Sequence, residues 1–432
     1  MSNSRKTLAL IACSTVLVVL LTSISIIIFF PSSNTRLIIT SSHTFGGPAS
    51  EYVYSMINTS DGGYILAGFT SSFGAGNDDA WLIKVDSTGN HQWNRTYGGN
   101  AEDVGISVIA TADGGYALTG ITSSYGAGNL DAWVIKTDAT GQEEWSQAFG
   151  GSKADYAGAI TLTATGGLVI AGYTESFGEG NRDFWLIEIN GTGHQVWSQT
   201  FGGSASDHAS AVLATTDGGY LVAGVTESYG AGSKDAWIIK TDSTGHHIWN
   251  RTLGGRASDI PYTIVSAPGG FVLTGRTGSY DANVVDAWLV KVDNNGNPEW
   301  NYTYGGEEED YTTHVVSTID GGYVLTGRTG SYGEGAEDAW LVKTTATGQL
   351  EWSQTFGGSA ADASYSVIVS SDGGYVLAGR TGSYGEGAED VWFIKTAFQN
   401  DGTFIDGTPW FEAILMVAAL SAFDLFKKRK RK

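Results

Sequence analysis

The chain has 432 residues, enough for one large all-β domain with appendages or for two or three ordinary domains. Its 61 glycines follow no triplet period and its 41% hydrophobic content is enough to build a core, which excludes collagen-like and disordered classes. The single cysteine, Cys13, excludes an intramolecular disulfide, and the net charge of -21 excludes a nucleic-acid surface. The middle is more acidic still: Arg5, Lys6 and the terminal KKRKRK run supply eight of the 24 basic residues, whereas segments 1–35 and 410–432 hold only Glu412 and Asp424 of the 45 acids.

Residues 1–35 read as an N-terminal signal anchor with a short linker. Thr7 to Phe30 carries no charge, and at about 1.5 Å per residue a helix of that length crosses a bilayer. A cleaved signal peptide has a shorter apolar core and then a small-residue site; here the run ends in IIIFFPSS, which points to an anchor. The LIAC string ending at Cys13 has the look of a lipoprotein box, but most of the apolar segment follows it, so Cys13 reads as a small residue inside a membrane helix.

From residue 36 to 398 the sequence repeats. DGGY at Asp61 returns as DGGY at Asp113, TGGL at Thr165, DGGY at Asp217, PGGF at Pro268, DGGY at Asp320 and DGGY at Asp372, a spacing of 52 residues with one interval of 51. Within one copy, EYVYSMINTS, GYILAGFTSS, DAWLIKVDS and HQWNRTYGG are short runs rich in Val, Ile, Tyr and Trp, divided by DGG, GAGN and STGN turns. Such runs predict four strands, and seven copies predict an all-β, seven-bladed β-propeller of four-stranded blades.

Two tryptophan series mark the third strand (Trp81, Trp133, Trp185, Trp237, Trp288, Trp340, Trp392) and the fourth (Trp93, Trp145, Trp197, Trp249, Trp300, Trp352). Burying each is worth about 4–6 kcal/mol gross, which a lone blade cannot achieve and stacked neighbours can. The fourth-strand series has no seventh member, because the seventh copy stops after DVWFIKTAFQ. Near the N-terminus, LIITSSHTFGG carries the TFGG that closes other blades, so this strand is expected to complete blade seven and remove the ring's open edges.

Residues 399–409 read as a linker and 410–432 as a C-terminal membrane helix with a basic tail. The form of TPWFEAILMVAALSAFDLFKKRKRK resembles the C-terminal sorting signals of archaeal surface proteins read by archaeosortase-like enzymes, although TPWFE stands where the best-known version has Pro-Gly-Phe. An ordinary stop-transfer helix is the alternative. Lys and Arg at both extremes imply cytoplasmic termini and an extracellular middle. With both chain ends on one face of the propeller, the face of the GAGN and FGG segments points away from the membrane.

The D-x-T-G-x-x-x-W pattern, as in DATGQEEW at Asp138 and DSTGHHIW at Asp242, resembles the tryptophan-docking repeat of quinoprotein-type β-propellers across residues 36–398. That resemblance implies a propeller; those proteins commonly have eight blades and a cofactor centre, whereas seven copies occur here and no cofactor is carried over. The sialidase Asp-box is also similar, with its Gly one residue earlier.

Positions alike in every copy serve folding, so function is sought where copies differ. The acids before the third strand (Asp79, Asp131, Asp183, Asp235, Asp286, Asp338, Asp390) and at each blade's start (Glu51, Asp103, Asp155, Asp207, Asp259, Asp310, Asp362) read as turn caps, with cation ligation as the alternative. Calcium has no D-x-D-x-D-G run behind it, and no metal site is assigned. Arginine departs from the repeat: Phe69, Ile121, Tyr173 and Val225 give way to Arg276, Arg328 and Arg380 in blades five to seven, always in GRTGSY. Two readings stand, forked hydrogen bonds to an anionic ligand such as a carboxylated sugar, or pairing with nearby Glu334, Glu337 and Glu386. The histidines show no metal spacing, and no G-x-S-x-G, H-E-x-x-H or phosphate-loop motif occurs, so no catalytic residue is assigned. Asn58, Asn94, Asn190, Asn250 and Asn301 begin glycosylation sequons. Together these features predict a membrane-anchored cell-surface propeller that binds an extracellular glycan or protein. The alternatives are a structural surface-layer component and, third, an extracellular hydrolase or lyase.

Overall fold

The computed structural model describes residues 35–400 except 281 and 283. Ile38–Ala397 form one compact unit. The two predicted membrane segments therefore lie outside the described residues. Among the described residues no helix is long and apolar enough to cross a membrane.

Among the described residues twenty-eight β-strands make seven four-stranded sheets, the seven blades predicted from the repeat. Blade one runs outward from the centre as β2 (Glu51–Asn58), β3 (Tyr64–Thr70), β4 (Asp79–Val85) and β5 (His91–Tyr97). Blades two to six, β6 to β25, repeat that order through residues 103–149, 155–201, 207–253, 259–304 and 310–356. The second and third strands of blade two are buried at every position. Both of their faces are covered by neighbouring blades, which is why these strands read as continuous apolar runs rather than alternating ones.

Blade seven consists of β26 (Asp362–Val369), β27 (Tyr375–Thr381) and β28 (Asp390–Asn400), completed on the outside by β1 (Thr35–Phe45). The expected closure is present, and it reproduces the chemistry of the other blades. Trp392 Nε1 donates to Ser42 Oγ at 2.9 Å, as Trp185 Nε1 does to Ser198 Oγ at 2.8 Å within blade three. Gly47 N–H donates to Glu51 at 3.0 Å, as Gly99 N–H does to Asp103 at 2.7 Å. Glu51 N–H reaches the Glu389 carbonyl at 2.9 Å, as Asp103 N–H reaches that of Asp78 at 2.8 Å. The joint between last and first blades is thus equivalent to the others, and its core mixes Trp81, Leu66 and Ile83 with Val376, Val391 and Phe393.

The D-x-T-G-x-x-x-W string is a docking unit. Its Asp caps the turn: Asp138 Oδ1 accepts from Thr140 N, Thr140 Oγ1 and Gln142 N at 2.8–2.9 Å. Its Gly adopts positive φ and receives the outer-strand tryptophan of the preceding blade, so that a Cβ on Gly141 would sit 2.6 Å from Trp93 Cζ3 and one on Gly245 would sit 2.6 Å from Trp197 Cζ3. The closing strand has Ser41 at the tryptophan position, and there Gly89 faces Phe393 and His43, the latter standing where blade one has Arg95. The two tryptophan series differ in burial. The third-strand residues are at most 4% exposed, while the fourth-strand residues are half-buried, because an outermost strand has a neighbour on one edge only.

A lysine is buried near the end of the third strand and reaches out to the DGG turn. Lys84, Lys240 and Lys343 pair with Asp61, Asp217 and Asp320 at 2.9–3.0 Å, each also donating to a backbone carbonyl. In blade three both members change together, to Glu188 and Thr165, so no buried charge is stranded. In blade five Pro268 replaces the aspartate and Lys291 turns to Glu299 at 2.9 Å.

Candidate functional site at the channel mouth

Every inner strand carries a β-bulge at the same repeat position, seen as a register shift between Val53 and Ser55 and its equivalents in all seven blades. A bulge leaves one residue unpaired and re-aims its side chain. The residues so released are Tyr54, Ile106, Gly158, Ser210, Tyr262, Thr313 and Tyr365, and all line a central cavity of about 480 Å³. The repeat thus builds this position alike in every blade and varies the side chain it places there.

Around the mouth, on the face of the GAGN loops, aromatic rings cluster. Tyr52 stacks on Phe69 at 5.0 Å, Tyr156 on Tyr173 at 5.2 Å, and Tyr54 meets Tyr365 at 5.6 Å between centroids. Burial pushes the Tyr156 phenol up to about 12 and raises Tyr54 as well, so both are neutral donors. His208 is pushed down to about 4 by burial and then by Lys234 and Arg182, and His314 to about 4 by burial. His314 Nδ1 accepts the Val367 N–H at 3.3 Å. Deeper polar groups are used between blades: Ser210 Oγ donates to the Pro261 carbonyl at 2.7 Å, and Thr313 Oγ1 to that of Ser364 at 3.1 Å.

None of the three arginines lines the cavity, which Arg182 does; they stand beside its lining tyrosines Tyr262 and Tyr365, and not in the same state. Arg380 is buried, paired with Glu389, and donates through Nε to Tyr365 Oη at 2.9 Å while lying over the Tyr52 ring at 5.2 Å. It braces blade seven against blade one. Arg328 pairs with Glu337 and lies 4.4 Å over Tyr311; Glu337 is also 3.8 Å from Arg380. Arg276 lies 5.7 Å from the centre of the same Tyr311 ring and among the described residues makes no ion pair. Of the expected partners only Glu337 is used. Glu334 and Glu386 sit exposed in the loops, whereas the residue directly before the third strand, Glu337 or Glu389, is the one beside the arginine. In blades three and four that position is basic, and Arg182 pairs with Glu175 at 2.9 Å and Lys234 with Glu227 at 3.4 Å. Sequence reasoning missed these pairs and the bulge tyrosines; the signal was the variation at fixed repeat positions.

The repeated acids are used in the fold's own turns, although Asp131 Oδ1 is buried and has no hydrogen-bond partner among the described residues. Asp103 accepts from Thr122 Oγ1, Ser124 Oγ at 2.6 Å and Gly99 N–H, and Asp131 Oδ2 accepts the Gly128 N–H at 2.9 Å. The five sequon asparagines are all exposed. Asn94 and Asn250 each accept from a tryptophan Nε1 at 3.4 Å and have their amide nitrogen 2.9 and 2.8 Å from His91 and His247.

No family model matches the chain. The Regulatory protein FlaEY of Caulobacter vibrioides is 25% identical over 178 residues, which is 35% of this chain and 18% of that protein, so the match spans less than a fifth of the relative's length. Among solved structures, a candidate 6-phosphogluconolactonase from Bacteroides uniformis aligns with a TM-score of 0.46 at 11% identity, over 70% of this chain and 88% of that one. BBS1N, solved in complex with ARL6DN, aligns at 0.49 and 10% identity, over 85% and 98%. Neither likeness carries an argument about this protein. Its class, a seven-bladed β-propeller, rests on its own strand topology.

Proposed function

We propose that the chain is a membrane-held, cell-surface binding module whose channel mouth takes an extracellular glycan or surface protein. The observation that carries this reading is the placement of the differences: side chains that vary from blade to blade converge on one cavity, while those shared by the blades are spent on turns, caps and core. Ligand sites are typically concave, mostly apolar and equipped with a few placed polar groups, a description that suits the tyrosines and arginines here. The apolar segments Thr7–Phe30 and Trp410–Phe426 support attachment through both ends. Within the propeller β28 runs away from the mouth face, where Asp390 pairs with Thr381, which supports a mouth turned to the outside.

The test is glycan-array binding by the full chain in detergent, repeated with Tyr54→Ala/Tyr365→Ala. Saturable binding that the double variant loses supports the reading; no saturable ligand, or binding indifferent to the mouth, removes it. A structural surface-layer component is the second reading, favoured by how many of the repeat's polar groups serve its own loops.

A further inference from the structure

We infer that Arg276 and Arg328 form a site for the carboxylate of an acidic sugar at the blade-five side of the channel mouth. This rests on the binding-module reading and specifies its ligand.

The argument starts from charge balance among neighbouring blades. Blades six and seven each carry an arginine on the second strand and a glutamate before the third: Arg328 with Glu337, Arg380 with Glu389. Blade five keeps the arginine, Arg276, and has Val285 where the glutamate stands in the others. Three guanidinium groups therefore share two carboxylates, and the surplus positive charge falls on Arg276. The exposed run Glu307, Glu308 and Glu309 lies nearby at the rim, and none of the three makes an ion pair with Arg276 among the described residues.

A second observation falls on the same spot. Arg328 uses its Nη1 on Glu337, while its Nε is closed off from solvent and has no hydrogen-bond partner among the described residues. An unmade bond to a buried charged donor is costly, and natural structures retain such a group chiefly where something else compensates it. Arg276 and Arg328 both lie over Tyr311, and Tyr262, which lines the cavity, is within electrostatic reach of both. An anion forked between the two guanidinium groups, carried by a molecule with a face to lay on tyrosine rings, would balance the surplus charge on Arg276. The adjoining cavity of about 480 Å³, which Tyr262 lines and the two arginines do not, admits one or two sugar rings. A carboxylated sugar meets all three requirements.

The test uses the full chain in detergent, titrated calorimetrically with glucuronate and, separately, with neutral glucose. Glucuronate is expected to bind saturably and at least tenfold more tightly than glucose, and to weaken at 0.5 M NaCl. Arg276→Gln should lose at least tenfold. Val285→Glu supplies the internal carboxylate that blades six and seven already have, and should lose as much while leaving thermal unfolding unchanged. The outer-strand variant Arg251→Gln should bind normally. Equal binding of both sugars with no effect of Arg276→Gln or Val285→Glu overturns the carboxylate site and leaves a binding module with another ligand. Saturable array binding with no glucuronate binding does the same, whereas silence on the array as well removes the underlying reading too.

Discussion

Replacing Gly141 by alanine isolates the interaction that makes the blades copies of one another. Gly141 has φ of +76°, and an added Cβ would lie 2.6 Å from Trp93 Cζ3, 2.8 Å from Cη2 and 3.0 Å from Arg95 Cγ. Gly114, in the DGG turn of the same blade, has φ of +87° and nothing within 4 Å. Both variants incur the left-handed backbone cost of about 1–2 kcal/mol. Only Gly141→Ala must also displace a docked indole, a form of overpacking worth about 1–3 kcal/mol more. Expected totals are about 2–5 kcal/mol for Gly141→Ala and about 1–2 kcal/mol for Gly114→Ala. Urea unfolding measures both, and the difference should appear as a lower midpoint for Gly141→Ala with unchanged slope. Trp93 emission should shift red in the folded variant as the ring loses its cover. Equal midpoints for the two variants would refute the docking argument, because the backbone term is common to both.

Two further outcomes follow from the polar groups. Asp217→Ala leaves Lys240, 6% exposed, with the Thr241 carbonyl as its remaining acceptor at 2.8 Å and should cost about 1–3 kcal/mol, whereas Lys240→Met leaves an exposed aspartate to water and should cost under about 1 kcal/mol; the reverse order in urea midpoints would contradict this. The same pair sets a pH dependence. Asp217 and Asp61 are held down to about 2 by the Thr215 and Thr59 hydroxyls and by Lys240 and Lys84, so their contribution is complete above the usual carboxylate range and is lost as pH falls through about 2. Asp79, Asp131, Asp183, Asp235 and Asp338 are raised by burial; their contribution is present below the usual range and is lost as pH rises through their raised values. Between pH 4 and 2 the urea midpoint of Asp217→Asn should therefore drop less than that of the parent, and an equal drop would remove Asp217 from the account. Among the three sequons on outer strands, Asn301 has no side-chain hydrogen bond among the described residues, while Asn94 and Asn250 are held by tryptophan and histidine. Glycan occupancy by mass spectrometry should be highest at Asn301, and full occupancy of Asn94 and Asn250 with none at Asn301 would contradict that ordering.

The blade count, the strand order and the closing role of LIITSSHTFGG were legible because each rests on local patterns that recur. A 52-residue period, the Trp and Gly of the docking string and the missing fourth strand of the last copy can all be read without distances. The candidate site was legible only in outline. Arg276, Arg328 and Arg380 stand out as departures from the repeat and do meet at one mouth, yet nothing in GRTGSY separates them.

Amino-acid order alone determined that this chain builds identical sheets that must stack and close, since every unit leaves apolar faces that another copy has to cover. Tertiary structure alone decided which arginine is open. The partners that occupy Arg380 include Tyr52, 328 residues away in sequence, and Glu337 stands between two arginines of different blades. Pairing at the axis of a ring is set by the distance between side chains from separate copies, and a repeat encodes the inside of each copy rather than the space they enclose.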